Sequence, residues 1–176
     1  MIIDLTTISQ EGRSFDFSLE KEWWHSNQEN DQILGFDTAL KVKLKIYKAG
    51  EKYFLEGALS GGIQVVCDRC LDVYHRDLSY DFNLFLDTPP MSDTKTAEIE
   101  LLDEDMEVDF IRDREVDVDE IIREQIYLSL PMKSLCSDKC LGLCPTCGCN
   151  LNIRDCQCER EQGHSGFLKL KDLKIK

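Results

Sequence analysis

Residues 40–70 read LKVKLKIYKAGEKYFLEGALSGGIQVVCDRC, and their pattern decides the fold. Leu40, Val42, Leu44 and Ile46 alternate with Lys41, Lys43 and Lys45. Successive side chains on a β-strand point to opposite faces, so this spacing predicts a half-buried strand with a wet lysine face. A break at Ala49, Gly50 and Glu51 precedes a second run, Tyr53 to Leu59, and the two runs predict a hairpin. Ser60, Gly61 and Gly62 predict a bend or bulge in the second run. The strand then resumes through Ile63, Val65 and Val66 and delivers Cys67.

Beyond Cys70 a long strand is expected over about residues 72–86, where Leu78, Tyr80, Phe82, Leu84 and Leu86 recur at period two. Residues 87–104 read as a mobile acidic connection, and Met106 to Ile111 as a short strand. A helix is expected over 117–130. Asp117 is its N-cap with Glu120 three residues on, its apolar positions are Ile121, Ile122, Ile126, Leu128 and Leu130, and Pro131 ends it. The expected fold is therefore β-rich α+β: an antiparallel, partly closed sheet, one packed helix and a C-terminal cysteine-rich zinc module. Residues 1–135 form the β-rich domain, 136–158 the module and 159–176 a basic tail.

A length of 176 residues suits one ordinary domain with a small appendage, and 42% hydrophobic residues are enough to bury a real core. The N-terminal sequence has no basic start before an apolar run, and no stretch approaches the ~20 apolar residues of a membrane helix. A cytoplasmic protein without membrane partners is expected, with its thiols kept reduced. Residues 98–124 hold thirteen acids against three arginines, a net of −10 within a chain total of −13. Attraction of the whole protein to a polyanion is thereby disfavoured, and only local basic contacts remain.

Eight of the nine cysteines fall into close pairs: Cys67 and Cys70, Cys136 and Cys140, Cys144 and Cys147, Cys156 and Cys158. Two thiolates two or three residues apart reach one tetrahedral metal from a single turn, at about 2.3 Å from zinc. The eight are therefore read as ligands of two structural zinc ions with no open coordination position. In the Cys144 turn, Pro145 fixes the backbone, and Gly148 takes the positive φ that turns amide N–H groups toward sulfur. CxxC also marks redox enzymes, but there it opens an amphipathic helix, and neither CDRC nor CPTC is followed by one. Four pairs divide into two sites in three ways. Loop-closure cost favours joining Cys144/Cys147 to Cys156/Cys158, which leaves Cys67/Cys70 to meet Cys136/Cys140. The rival joins the two CxxC turns, as in a zinc ribbon. Cys149 is the spare, able to replace Cys156 or Cys158.

Three stretches together resemble the YceD family of bacterial large ribosomal RNA subunit accumulation proteins. They are the Cys67-to-Leu71 turn at a strand end, the helix running from Ile121 into Pro131, and the run from Cys136 to Asn152. The ending from Phe167 to Lys174 is also similar to the family's lysine-studded terminus. The resemblance covers the chain from about residue 40 onward and is specific over 120–152. It implies a non-catalytic role in ribosome biogenesis, with 23S rRNA or a large-subunit precursor as partner. Some relatives keep counterparts of only the first two cysteine pairs, which fits the favoured pairing. Many have another residue at Cys149.

For RNA contact the candidates are Lys169, Lys171, Lys174 and Lys176 in the tail and Lys41, Lys43 and Lys45 on the strand. A frayed solubilising end and a solvated or protected sheet edge are the plainer readings. The acidic segment reads as a solvated surface, or as a mimic of nucleic acid that holds a basic ribosomal protein. Trp23 and Trp24 read as core or covering loop in preference to a base-stacking platform, and His25, His75 and His164 as singletons. No phosphate-cradling glycine loop, HExxH or deaminase-like motif is present, so no enzyme is expected. The alternatives are an acidic adaptor for a basic ribosomal protein and a thiol redox or zinc-sensing protein. Sequence leaves the oligomeric state open.

Overall fold

The computed structural model describes residues 1–25, 31–50, 52–87, 108–110 and 114–158. Within them the chain forms β1 (Ile2–Asp4), β2 (Arg13–Leu19), β3 (Ile33–Phe36), β4 (Leu40–Ala49), β5 (Lys52–Val66), β6 (Val73–Asp87), β7 (Val108–Phe110), β8 (Glu115–Asp117) and α1 (Val118–Leu128). The main sheet runs β2-β4-β5-β6-β7, and β3 lies beside the second half of β5. A separate ribbon pairs β1 with β8.

The alternation in β4 is realised as expected. Leu40, Val42, Leu44 and Ile46 are buried, and Lys41, Lys43 and Lys45 are exposed. Gly50, at φ +68°, turns the chain into β5. The inner face is then built of rungs across three strands, Val42-Leu59-Tyr80, Leu44-Gly57-Phe82 and Ile46-Leu55-Leu84. At Gly57 a Cβ would lie 2.1 Å from the Phe82 ring, so the ring occupies the space that glycine leaves. Full burial of each such leucine or isoleucine contributes roughly 1.5–3 kcal/mol.

Helix α1 closes this face. Asp117 caps it by accepting a bond from the Asp119 N–H, and Val118, Ile121, Ile122, Gln125 and Ile126 are buried. Trp24 is buried and donates from Nε1 to the Ile33 carbonyl at 3.1 Å. Trp23 donates to Asp119 Oδ1 at 2.8 Å, and the Arg123 guanidinium lies over both indoles. The tryptophan pair thus ties the helix to the sheet, as core and cover.

Four expectations are corrected. The sheet is open: among the described residues β2 and β7 are its ends, and no pairing joins them. It need not close, because α1, Leu5, Ile8 and Trp24 cover its apolar face. The sheet is antiparallel except for β6 and β7, which pair in parallel. No bulge occurs at Ser60 to Gly62 in the β5–β6 ladder, which keeps one register from Tyr53–Leu86 to Val66–Val73. The glycines instead allow close approach, since a Cβ on Gly62 would meet the His75 ring at 2.6 Å. Leu128 is 60% exposed, because six residues at 100° each carry it about 120° round the helix from Ile122. The acidic connection lies beyond the described residues from residue 88 to 107, and so do Met106 and Ile111 at the ends of the expected short strand.

Candidate metal centre

The β5–β6 hairpin is closed by its own cysteine turn. Cys67 donates from its N–H to the Asp72 carbonyl at 2.9 Å, and Leu71, at φ +60°, donates back to the Cys67 carbonyl at 2.9 Å. The turn aims two sulfurs outward from the sheet end, where the chain leaving α1 crosses. Asp68 captures that chain: its N–H donates to the Ser134 carbonyl, and its Oδ2 accepts the Ser134 N–H at 2.6 Å. Leu135 packs on the buried Cys67, Cys70 and Cys140.

The sulfurs of Cys67, Cys70, Cys136 and Cys140 consequently lie within 4.8 Å of one another. Cys67 and Cys140 are 3.8 Å apart, and Cys70 and Cys136 are 3.7 Å apart. Sulfurs bound tetrahedrally to zinc stand about 3.8 Å from each other, whereas a disulfide draws them to about 2.05 Å. The spacing therefore fits four ligands around one cation. Burial opposes ionisation at Cys67, but N–H groups of Cys136, Cys70 and Arg69 directed at its sulfur outweigh this and hold the thiol down at about 6. Burial pushes Cys70 up to about 12 and raises Cys136. The Cys67 sulfur is the one poised as thiolate, and a bound cation would draw the protons from Cys70 and Cys136 as well.

The second group is Cys144, Cys147, Cys156 and Cys158, whose sulfurs also lie within 4.8 Å of one another. Gly148 has φ +71° and donates to the Cys144 carbonyl at 2.8 Å. The N–H groups of Cys147 and Thr146 point at the Cys144 sulfur and lower its thiol to about 6. Cys147 is lowered as well, chiefly by the Cys149 N–H. The described residues thus hold two complete four-sulfur sets, divided as loop-closure cost favours and not as a two-CxxC ribbon. Cys149 stands outside both sets. It is buried, and its carbonyl accepts the Cys144 N–H at 2.8 Å.

Pair spacing did not reveal what joins the two groups. Leu143 donates to the Arg69 carbonyl at 3.1 Å, and Arg69 donates from Nη1 to the Cys140 carbonyl at 3.0 Å. Gly142, at φ +75°, sits so close that a Cβ would lie 2.9 Å from the Arg69 carbonyl oxygen. Asn152 accepts the Leu141 N–H at 2.7 Å and donates from Nδ2 to the Cys140 sulfur at 3.3 Å. Asn150 donates to Asp72. A glycine between two cysteine pairs and two asparagines just after them were the available signals.

The strand lysines Lys41, Lys43 and Lys45 share the outer sheet face with Asp16, Glu56 and Asp81, which sit on neighbouring strands in the same rungs. Lys169, Lys171, Lys174, Lys176 and His164 lie outside the described residues. His75 bridges Asp37 and Asp77 at 2.5 and 3.0 Å, far along β6 from the Phe82 and Leu86 end.

Fold and site together define a β-sheet protein with two closed cysteine tetrads suited to metal. A family model described as "Large ribosomal RNA subunit accumulation protein YceD" matches residues 55–174, and the chain belongs to that family. It is 26% identical over 157 residues to "Large ribosomal RNA subunit accumulation protein YCED homolog 1, chloroplastic" of Arabidopsis thaliana, covering 78% of this chain and 49% of the relative. The similarly named protein of Zea mays is 26% identical over 144 residues, covering 69% of this chain and 49% of the relative. An uncharacterized protein of Mycobacterium leprae is 24% identical over 121 residues, covering 69% of this chain and 53% of that one. The chain spans about half the length of these curated relatives. No solved structure matches it.

Proposed function

We propose that this chain is a non-catalytic, cytoplasmic ribosome-biogenesis factor that supports accumulation of 23S rRNA and assembly of the large subunit. Family membership carries this reading. Two structural zinc ions hold the binding surface in shape, one on Cys67, Cys70, Cys136 and Cys140, the other on Cys144, Cys147, Cys156 and Cys158. The tetrahedral sulfur spacing of the first set supports zinc, and four sulfurs per ion leave no position for a catalytic water. Among the described residues no helix is long and apolar enough to cross a membrane. Depleting the protein in cells should lower 23S relative to 16S rRNA, and the tagged protein should sediment with large-subunit precursors. An unchanged ratio overturns the reading. The phosphate-facing groups would be Lys169, Lys171, Lys174 and Lys176 with Lys41, Lys43 and Lys45. Neutralising them should flatten the salt dependence of RNA binding, and an unchanged slope removes them from the interface.

A second reading is an adaptor for a basic ribosomal protein, and one surface favours it. A groove of about 730 Å³ beside the first tetrad is lined by Leu34, Val66, Leu71 and Met132 together with two carboxylates, Asp31 and Asp68, and one amine, Lys133. Exposed apolar side chains beside carboxylates suit a basic, apolar-anchored segment better than they suit phosphate. Capture of a ribosomal protein that survives nuclease treatment would favour this reading over direct RNA binding.

A further inference from the structure

Three rings stand in one rung of the outer sheet face, the face that carries Lys41, Lys43 and Lys45. Tyr47 of β4 pairs with Phe54 of β5, and Phe54 pairs with Phe85 of β6. Ring centroids are 5.2 Å apart for Tyr47 and Phe54 and 4.8 Å for Phe54 and Phe85, so the three form one continuous row. Phe85 is 37% exposed, and Tyr47 and Phe54 are half-buried. None of the three belongs to the apolar cluster under α1, so the core does not account for them. The next two rungs, Lys45-Glu56-Asn83 and Lys43-Ala58-Asp81, border a hollow of about 420 Å³ that the small Ala58 leaves unfilled. Lys45 lies 5.3 Å over the Tyr47 ring, and the Tyr47 hydroxyl donates to Glu56 at 3.3 Å, which joins the row to the hollow. Asp16 of β2 stands opposite Lys43. Even so, among the described residues Lys41, Lys43 and Lys45 make no ion pair.

We infer that this face holds unpaired bases of single-stranded RNA, with Tyr47, Phe54 and Phe85 as the surface on which they stack. The inference rests on the reading that the chain acts on ribosomal RNA, and it names the part of the molecule and the form of RNA. A surface that only tracks phosphate is uniformly basic, whereas here Lys41, Lys43 and Lys45 are balanced by Asp16, Glu56 and Asp81. An unpaired base has a flat π face and an edge that carries both donors and acceptors. The aromatic row meets the first, and the amines, carboxylates and Asn83 amide around the hollow meet the second. The unpaired lysines are left for the phosphates between the bases. A duplex keeps its bases stacked on each other and offers the row nothing to stack. A basic protein segment would meet the three lysines as like charges.

Titration of the full-length protein with a labelled, mixed-sequence single-stranded RNA oligonucleotide, and with the same sequence as a duplex, tests this. The single strand should bind more tightly. Phe85→Leu should weaken it about tenfold, the loss expected for one stacked base, while the salt dependence keeps its slope because no charge is removed. Phe85→Trp restores a π face and should keep wild-type affinity. Phe85 is the most exposed of the three rings, and an unchanged thermal midpoint in both variants would show that the fold is intact. Full affinity in Phe85→Leu, or an equal loss in both variants, overturns the stacking surface and leaves the ribosomal RNA reading standing. Wild-type protein that binds neither single strand nor duplex removes direct RNA contact and the inference with it. Loss of binding to a lysine-rich peptide in Phe85→Leu, with RNA affinity kept, would give the face to a protein partner and also overturn the inference.

Discussion

Asn152 donates from Nδ2 to the Cys140 sulfur at 3.3 Å, so a residue of the second cysteine module serves a sulfur of the first tetrad. The two groups are one mechanical unit. An amide directed at a metal-bound thiolate lowers its charge density and resists its protonation.

Asn152→Ala removes that bond together with its acceptance of the Leu141 N–H. The expected loss is about 2–4 kcal/mol, the range for a pair of hydrogen bonds of which one goes to a charged group. Zinc should leave the first centre faster under a chelator, while the second loses its ion at the wild-type rate. Equal acceleration at both centres would contradict the local role.

Gly142 and Gly148 form a matched pair of tests. Both have positive φ, but a Cβ on Gly142 meets the Arg69 carbonyl at 2.9 Å, and one on Gly148 meets nothing within 4 Å. Gly148→Ala should cost only the left-handed strain of about 1 kcal/mol, and Gly142→Ala at least twice that. Denaturant midpoints of the two variants decide it, and equal midpoints would remove the steric argument.

His75 bonds to Asp37 and Asp77, and these bonds raise its pKa above the ordinary 6.5. A raised value means stability that is complete below about 6.5 and lost as pH rises through the folded value. Asp37 is lowered first by the His75 bond and then by Gln64, so its contribution is present above about 3.8 and lost on acidification. NMR titration of the imidazole should give a midpoint above 6.5 that falls toward it in Asp37→Asn. No change in that variant would exclude the pairing.

Chelation should separate the two parts of the molecule. The rungs of β4, β5 and β6 and the face of α1 form one apolar cluster that does not include the cysteines. With zinc removed, β-sheet circular dichroism should persist while protease sites open between residues 133 and 158. Concerted loss of the sheet signal would show that the metal supports the whole fold.

Much of this was legible in the sequence, for identifiable reasons. The leucine–lysine alternation of β4 is visible because one face is dry and the other wet. Asp117 is visible as a cap because its side chain replaces a missing helical partner. The openness of the sheet was hidden because apolar periodicity records that a face is covered, not whether a helix or another strand covers it. Gln125 was passed over because its polarity conceals a buried position between Ile122 and Ile126. At the metal site, spacing within cysteine pairs carried the grouping, since short loops close cheaply. Asp68, Arg69, Asn150 and Asn152 escaped because their partners are distant in sequence, or are backbone atoms that no residue letter reports.

The two tetrads also differ in how far along the chain their members lie. The second is complete within fifteen residues, Cys144 to Cys158, and the first joins Cys67 to Cys140 across a separation of 73. A local loop closes in well under a microsecond, and a distant one must wait for the sheet and helix that bring its ends together. The second set could therefore take up a metal on a chain that is still folding, whereas the first is assembled only when β5, β6 and the chain beyond α1 have docked. A metal ion in the first tetrad would thus be a record of completed folding, and one in the second would not.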